Sequence, residues 1–369
     1  MKITIYEIGG VFLKISASVQ NKNHLYFEET EKVKFNHGLN IHDEEFLPES
    51  INEIYQLDQE LNSFGKTIII LPFFITTSRT FNLPVAKKNK INMMIPFQLD
   101  ESLPSSSQEM HWIEQIYKLD KKSSNVCLSL INRELFEKAH SKLKSINFFP
   151  TTITSELNIY LTLIEVLKKS KKSEKLSIDP IPNGNFVILD MGENQTTAYF
   201  FSKGQLVFNH YSNVGSYNVD ENISDNYEIS MQEAKIFKEE SGFFFTSTDY
   251  DNADADQKIF AQIMDKTLEP LILDFAKWDL AYRSKTGSSI DTCFIVGGMS
   301  KMRNINNYLT EHLEVTTQPL TINSYSESLE YSEFFTHQAV NFINLKSGQI
   351  GNFLKNEFRH SAGSSDQTE

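Results

Sequence analysis

The sequence predicts an α/β protein made of two similar lobes, and three short turns that contain glycine carry this prediction. Each turn follows an apolar run of the kind that forms a strand before a tight turn. The first two turns each join two such runs, which indicates that the 369-residue chain contains a duplicated unit. The three turns lie at residues 6–10, 190–197 and 296–300.

The order and wide spacing of these turns predict the actin-like ATPase (ribonuclease H-like) fold, in which two duplicated lobes close on a nucleotide. Glycine allows a polyphosphate to approach the backbone, and hydroxyl and amide side chains donate hydrogen bonds to its oxygens. A carboxylate at a strand end can hold Mg²⁺ through water, so Asp190 is the expected metal ligand. The residues of the turns expected to contact ATP are Gly9, Gly10, Asp190, Gly192, Asn194, Thr196, Gly297, Gly298 and Ser300.

A purely structural explanation competes with this assignment. Either of the first two turns, taken alone, is better explained as a tight hairpin turn without a ligand. The third turn favours a nucleotide site, because its two glycines stand between a buried strand and a helix that begins near Ser300. Backbone N–H groups at such a helix start can meet phosphate or adenine.

Periodicity predicts the other elements. Continuous apolar runs indicate buried strands at 67–71 and 292–296, and apolar residues three and four positions apart indicate helices. The predicted helices lie at 48–61, 88–99, 133–143, 156–167, 231–240, 268–283 and 302–313. The remaining predicted strands lie at 1–10, 11–16, 79–83, 113–119, 126–131, 186–190, 197–201 and 206–208.

These elements predict a division of the chain. A strand, a helix, two strands and a helix in succession form a small α+β subdomain inserted in the first lobe, and a run of lysine and serine near residue 170 marks a solvated connector. Contact with anionic lipid is the less favoured explanation of that run. The predicted parts are a first lobe at 1–72 and 150–178, the inserted subdomain at 73–149, a second lobe at 184–355 with its own insertion at 216–290, and a flexible polar tail at 356–369.

Composition excludes several classes of function. A net charge of −13 argues against binding nucleic acid, which takes clustered lysine and arginine. The two cysteines, Cys127 and Cys293, are far apart in the sequence and form neither a disulfide framework nor a zinc motif. The longest apolar run, at 68–75, is far shorter than the roughly 20 residues that span a bilayer. The sequence therefore predicts a cytoplasmic protein.

The motifs resemble those of a known family. Residues 190–197, 213–216, 232–238 and 294–300 occur in the order seen in the PilM family of type IV pilus assembly proteins. They are also similar to the cytoplasmic region of the GspL proteins of type II secretion. Residues 95–101 resemble the signature of the inserted subdomain in both families, and residues 351–358 resemble the segment that precedes the transmembrane helix of the secretion proteins.

The resemblance implies a scaffold that lies peripherally at the cytoplasmic face of the inner membrane. Its implied partners are the cytoplasmic tail of an inner-membrane assembly protein and the motor ATPase, with self-association as a further possibility. It assigns Lys238 to the nucleotide-contacting helix. It also assigns partner contact to the signature of the inserted subdomain, through Ile95, Pro96, Phe97 and Leu99. A pilus role and a secretion role both remain open.

Departures from the family pattern argue against catalysis. Glu7 replaces an aspartate, Val11 and Phe12 replace small hydroxyl residues, and Lys235 replaces an acid. We therefore expect no catalytic residues and weak binding of ATP with Mg²⁺ or none. The alternatives are a working actin-like ATPase in the same machinery and a sugar or carboxylate kinase, for which no catalytic aspartate is evident.

A crowded acidic loop is the remaining candidate for a metal site. Its aspartates are Asp249, Asp251, Asp254 and Asp256. The loop lacks the central glycine and the terminal glutamate of a calcium loop. We therefore predict that these residues cap helices or lie in solvent.

Overall fold

The computed structural model describes residues 2–21, 24–60, 65–85, 87–104, 106–119, 121–169, 184–322, 332–346 and 348–356. Its strands are β1 (Lys2–Ile8), β2 (Phe12–Asn21), β3 (His24–Lys34), β4 (Lys66–Leu71), β5 (Thr76–Leu83), β6 (Met110–Lys118), β7 (Ser124–Asn132), β8 (Thr152–Ser155), β9 (Phe186–Met191), β10 (Thr196–Ser202), β11 (Gln205–Ser212), β12 (Thr292–Val296) and β13 (Thr317–Pro319). Its α-helices are α1 (Phe46–Glu60), α2 (Lys88–Ser102), α3 (Arg133–Ser145), α4 (Glu156–Lys169), α5 (Ser216–Tyr227), α6 (Met231–Ser241), α7 (Ser247–Tyr250), α8 (Ala255–Thr286), α9 (Ile305–Leu313) and α10 (Phe335–Leu345).

Two five-stranded sheets have the same topology. The first has the order β3-β2-β1-β4-β8 and the second the order β11-β10-β9-β12-β13. In each sheet the first three strands form an antiparallel meander, and the last two add in parallel. Parallel neighbours need a crossover, which the helices between them supply. The duplication predicted from the glycine turns is confirmed.

A third sheet forms the centre of the predicted insertion. Its three antiparallel strands have the order β5-β7-β6, and α2 packs on it through Ile91, Ile95 and Leu99, which recur every fourth residue. The sequence of strand, helix, two strands and helix from β5 to α3 is the one that periodicity predicted. Residues four apart lie on one face of a helix, so the three apolar residues of α2 all face the sheet.

The chain divides into two compact units. The first contains the residues up to Leu167 together with the described residues from Thr336 onward, and the second extends from Lys168 to Phe335. The predicted second lobe, 184–355, therefore extends past the second unit, because α10 and the residues after it pack in the first. The predicted lobe boundary near 178–184 and the predicted tail beyond Asn356 lie, for the most part, outside the described residues.

Several elements escaped prediction. Strand β3 is mostly polar and exposed, so it shows little apolar alternation, while β8 and β13 are too short to show a period. Helices α5 and α10 carry many polar residues, and α8 begins well before the predicted residue 268. The helix after the third turn begins at Ile305 instead of 302, since a single 3₁₀ turn, Gly298–Lys301, comes first.

The acidic loop caps helices, as predicted. Asp254 accepts a hydrogen bond from the Gln257 N–H at the start of α8, and Asp249 accepts one from the Thr246 N–H at α7. No group of three or more potential metal ligands occurs in the part of the chain that the structure describes. Within that part, no helix has the length and apolar character needed to cross a membrane.

Candidate functional site

The first turn, between β1 and β2, closes on itself. The Gly9 N–H donates to the Phe12 carbonyl at 2.9 Å. A Cβ on Gly9 would lie 2.6 Å from that same oxygen, so packing alone requires glycine here. Val11 is partly exposed at the tip of the turn. The backbone donor of Gly9 that was expected to meet phosphate therefore points into the hairpin.

A buried polar network adjoins this turn in the first unit. Glu7, the last charged residue of β1, pairs with Lys14 Nζ at 2.6 Å. The Thr336 hydroxyl, at the start of α10, donates to Glu7 Oε2, and His337 Nε2 lies 3.5 Å from the same oxygen. The other ring nitrogen of His337 is 2.7 Å from Ser16 Oγ. The network ties α10 to the β1–β2 hairpin.

Electrostatics in this network favour an ionised glutamate and a neutral histidine. Burial by itself would raise the pKa of Glu7, but the Lys14 ammonium and the hydrogen bond with His337 hold that pKa well below its usual range. Burial lowers the pKa of His337, and the nearby Glu7 carboxylate only partly opposes this. Glu7 is thus neutralised from within the chain, which leaves its charge little capacity to hold a magnesium ion.

The second and third turns meet in the second unit. Gly297 adopts φ +88°, and a Cβ there would lie 2.5 Å from the Met191 carbonyl oxygen and 2.9 Å from Asp190 Oδ1. Gly215, which begins α5, packs on the second turn so closely that a Cβ would lie 2.2 Å from the Glu193 carbonyl oxygen. The structure thus brings Asp190 and Gly297 together, as the sequence predicted.

Two backbone N–H groups of these turns donate to carbonyls within the protein. The Gly192 N–H donates to the Gln195 carbonyl at 3.0 Å, and the Gly297 N–H donates to the Ser332 carbonyl at 3.1 Å. Both bonds hold the turns in shape. Among the other predicted contact residues, Asn194 is exposed, and Gly10, Asp190 and Gly298 are half-buried.

The hydroxyl donors are also engaged. Thr196 is fully buried and its Oγ1 donates to the Val214 carbonyl at 2.7 Å. Ser300 is buried and its Oγ donates to the Gly297 carbonyl at 2.7 Å. A phosphate would have to break these bonds to recruit either hydroxyl, which costs the energy of a buried hydrogen bond.

Lys238 has an internal partner as well. Its Nζ lies 2.7 Å from Asp220 Oδ1 of α5 and donates to the Ser216 carbonyl at 3.2 Å. Both side chains are about nine-tenths buried. Burial raises the pKa of Asp220, while Lys238 acts in the opposite direction. The lysine therefore links α6 to α5, and its charge is balanced without a nucleotide.

The residues of the second unit consequently fit ATP poorly. Asp190 remains as a carboxylate at the end of β9, in the place where a hydrated Mg²⁺ would be held. Beside Gly298, however, the nearest side chain is the acidic Glu333, at 3.6 Å from a Cβ built there. Lys301 Nζ balances it only loosely, at 3.5 Å. Five of the predicted donors, those of Gly192, Thr196, Lys238, Gly297 and Ser300, thus bond within the protein, and the side chain beside Gly298 is acidic.

The predicted partner-binding residues divide into two groups. Ile95 and Leu99 are 1% and 0% exposed in the core under α2, so they support the subdomain from inside and offer no surface. Pro96 is half-buried. Phe97 is 71% exposed, as is its helical neighbour Met93 at 70%. Of the four predicted residues, therefore, Phe97 presents the side chain that a partner could contact.

A docked segment near the end of the described chain adds a feature that sequence reasoning missed. Asn352 accepts hydrogen bonds from the Ile153 N–H and donates to the Thr151 carbonyl, both at 3.1 Å. Phe353 is fully buried, with its ring 5.9 Å from that of Phe136. The side chain of Asn352 thus substitutes for a strand at the open edge of β8.

The same segment touches the inserted sheet. Gly351 lies so close to β6 that a Cβ would be 2.3 Å from Ile113 Cγ2. The segment therefore occupies a groove bordered by β6, β8 and α3. Its sequence resembled a family motif, but nothing in its composition signalled docking, since one apolar anchor and one asparagine set no periodicity.

Comparisons with known proteins give the fold. A chain of the PilM-PilN type IV pilus biogenesis complex superposes with a TM-score of 0.68 at 14% sequence identity, covering 92% of this chain and 99% of that one. MreB5 of Spiroplasma citri bound to AMPPNP superposes with a TM-score of 0.51 at 10% identity, covering 98% of each chain. The chain has the actin-like ATPase fold. The predicted likeness to PilM is confirmed at the level of the fold.

Other comparisons are narrower. The family model of the cell division protein FtsA matches residues 187–337, which is less than half of the chain. The cytoplasmic domain of EpsL, an inner-membrane component of the type II secretion system of Vibrio cholerae, gives a TM-score of 0.38 at 8% identity over 58% of this chain and 72% of that one. A score this low supports no conclusion. No curated protein sequence matches the chain.

Proposed function

We propose that this protein is a non-enzymatic scaffold of the inner-membrane platform of a type IV pilus or type II secretion machine. In this role it lies at the cytoplasmic face of the membrane and links a membrane assembly protein to the motor ATPase. The fold shared with a chain of the PilM-PilN complex supports the assignment to this class of machine. The docked segment at 351–354 is the observation that carries the linking role.

The groove is suited to hold a short extended segment. The Asn352 side chain satisfies the edge of β8, and Phe353 fills a fully buried pocket beside α3. Main-chain pairing at a sheet edge supplies affinity and a side-chain pocket supplies selectivity. The groove lies between the inserted subdomain and the adjoining edge strand β8 of the first five-stranded sheet.

The groove's own occupant indicates what it recognises. The segment resembles the one that precedes the transmembrane helix of the secretion proteins, so a groove that accepts it recognises an asparagine followed by large apolar residues. If the protein belongs to a pilus machine, we expect the cytoplasmic tail of a separate membrane protein to carry the same pattern of an asparagine followed by large apolar residues. The scaffold then holds that tail while its remaining surface stays available to the motor.

A competition experiment tests this role. The full chain is mixed with the cytoplasmic tail of the cognate membrane assembly protein, and binding is measured by anisotropy with and without a peptide of residues 348–356. Replacing Phe353 by alanine weakens the docking of the internal segment, which competes with the tail for the groove. If the segment occupies the groove in about nine of ten wild-type molecules, its release should make tail binding about tenfold tighter. Lys355→Ala, at an exposed position of the same segment, is the matched control.

Two outcomes would count against the scaffold. Binding of the tail that the peptide cannot displace would locate the contact elsewhere. Absence of any tail binding, in both the wild type and a correctly folded Phe353→Ala variant, would remove the linking role altogether.

A working ATPase is the second candidate, and the convergence of Asp190 with Gly297 favours it. The MreB5 structure shows that a protein of this fold binds a nucleotide. Against it stand the internal bonds of Thr196, Ser300 and Lys238. Turnover of ATP by the purified chain that Asp190→Ala abolishes would establish this candidate in place of the first.

A further inference from the structure

A second groove lies on the opposite face of the inserted sheet. It has a volume of about 800 Å³ and is formed by the first turn of α2 and the middle of β6. Side chains alternate along β6, so Ile113 faces the docked segment while Glu114 and Ile116 face this groove. Strand β6 is the outermost described strand of its sheet. The groove therefore lies against the middle of an edge strand.

Lysines concentrate at this groove. Lys87, Lys88 and Lys90 line it and are exposed, and Glu114 is the one acidic residue among its lining residues, 3.8 Å from Lys88 Nζ. The cluster stands out because the chain as a whole carries a net charge of −13. A local positive surface on an acidic protein attracts acidic partners selectively.

The position of these lysines costs local stability. The N-terminus of a helix carries partial positive charge and favours acidic residues. Helix α2 has no acidic residue in its first turn, and Lys87 at its N-cap makes no side-chain capping bond. Three lysines at this end oppose the helix dipole, so the arrangement is explained better by binding than by folding.

An apolar stripe continues from the groove along α2. Lys90, Met93 and Phe97 are spaced three and four residues apart and lie on one face of the helix. Met93 and Phe97 are 70% and 71% exposed. Large apolar side chains that lie exposed next to each other mark interaction sites. Exposed aromatic residues beside a charged rim are typical of protein-binding surfaces.

We propose that this groove docks an acidic, extended segment of a partner protein, with its carboxylates on Lys87, Lys88 and Lys90 and an apolar residue against Phe97. The groove is concave, whereas a flat lipid surface contacts protruding side chains. The overall charge of −13 opposes an extended anionic surface such as a membrane or nucleic acid, which faces much of the protein, more than it opposes a short acidic segment confined to the groove. This inference is independent of the pilus or secretion assignment, because it uses a different face of the sheet.

The test uses the full chain and a fluorescein-labelled peptide of about eight residues, alternating glutamate and valine, the extended form that sheet edges accept. We expect Lys87→Glu/Lys88→Glu/Lys90→Glu to weaken binding at least about tenfold, since three favourable charge contacts become repulsive. Raising the salt from about 0.1 to 1 M should weaken wild-type binding as the screening length falls from about 10 to 3 Å. The same peptide with glutamine in place of glutamate should not bind.

The control variant makes the same change in net charge elsewhere. Its three substitutions are at lysines of α8 in the second unit, of which Lys266 and Lys277 are exposed and Lys258 is half-buried, namely Lys258→Glu, Lys266→Glu and Lys277→Glu. It should bind the peptide within about threefold of the wild type, as expected for distant charges that salt screens. The groove variant should melt close to the wild type, because acids at a helix start complement the dipole while the loss of the Lys88–Glu114 contact opposes this gain.

Four results would overturn the proposal. The first two are failure of the peptide to bind the wild type at millimolar concentration and equal binding of the peptide by the groove variant. The third is an equal loss of affinity in the control variant, which would show that only net charge matters. The fourth is binding of the wild type, but not of the groove variant, to vesicles with about 30% phosphatidylserine that the peptide does not displace, which would identify the surface as a lipid site.

Discussion

Lys14→Met tests the buried network beside the first turn. The substitution keeps most of the lysine's apolar stem and removes the ammonium 2.6 Å from Glu7. The Glu7 side chain is 7% exposed and that of Lys14 is 20% exposed, so the carboxylate would remain buried without its main counter-charge. The Thr336 hydroxyl would still donate to it, which softens the loss.

Breaking a buried ion pair from one side costs about 3 to 5 kcal/mol, and the retained Thr336 bond places our expectation near the lower limit, at about 3 kcal/mol. Replacing Glu7 by glutamine in the same chain removes the uncompensated charge. The double variant should therefore recover most of the loss, to within about 1 kcal/mol of the wild type, as neutral substitutes for buried pairs commonly do.

The pH dependence has a definite sign. In the wild type the pKa of Glu7 is lowered, so its contribution to stability is complete above the ordinary value of 4.5 and is lost as the pH falls below it. Burial is the largest single influence on the pKa of Glu7 and raises it. With Lys14 removed, we therefore expect the folded variant to take up a proton more readily than its unfolded chain. Its deficit relative to the wild type should be smaller at pH 5 than at pH 8.

Urea unfolding followed by tryptophan fluorescence measures these quantities. The chain has two tryptophans, Trp112 in the first unit and Trp278 in the second, so a Trp278→Phe background lets Trp112 report the first unit alone. Lys34→Met, at an exposed lysine of β3, should change stability by less than about 0.5 kcal/mol. A loss below about 1 kcal/mol for Lys14→Met, or a double variant less stable than the single, would refute the network's role.

Three further outcomes are expected. His337→Gln should flatten the fall in stability below pH 6.5. Burial lowers the pKa of His337 in the folded protein, so below pH 6.5 the unfolded chain takes up a proton that the folded protein does not, and stability is lost. Urea titrations at pH 7.5 and 5.5 would check this. Phe353→Ala should cost about 1.4 kcal/mol in the same unfolding assay, the free energy that corresponds to the tenfold release of the groove, with Lys355→Ala close to neutral. Calorimetry with millimolar ATP and Mg²⁺ should give weak heat or none and turnover should be negligible, and Asp190→Ala should remove any Mg²⁺-dependent heat that the wild type gives.

The fold was predictable because glycine turns and apolar runs survive in a single sequence. The β1–β2 and β9–β10 hairpins are marked by apolar runs on both sides of a glycine turn, and the run at 67–71 is short and ends at Pro72, which indicates a buried strand. Strand β3 escaped because an exposed edge strand pairs on one side and needs few apolar residues. Helix α10 escaped for a different reason: its buried face carries His337 and Asn341, polar residues whose partners lie more than 300 positions away in the sequence.

The candidate site was predictable only in part. Sequence placed Asp190 and Gly297 at strand ends of one sheet, where parallel strands bring them together. It could not show that Thr196 and Lys238 already have internal partners. Their bonds to Val214 and Asp220 depend on tertiary packing, and the spacing of residues in the sequence does not reveal them. A motif records which groups are present, whereas their availability depends on packing.

Gly297→Ala separates the two explanations of the third turn, a nucleotide site and a tightly packed corner. Gly297 has φ +88°, which costs a non-glycine residue about 1 kcal/mol or more, and an added Cβ would also meet the Met191 carbonyl oxygen at 2.5 Å. Gly287, at the end of α8, has φ +67° with nothing within 4 Å of an added Cβ, so Gly287→Ala carries the conformational cost alone. If the turn is a packed corner, Gly297→Ala should lower the melting temperature of the second unit more than Gly287→Ala does, and the difference should not change with ATP and Mg²⁺. An equal loss from the two substitutions would contradict the packing explanation, and a difference that nucleotide enlarges would show that the wild-type turn binds it.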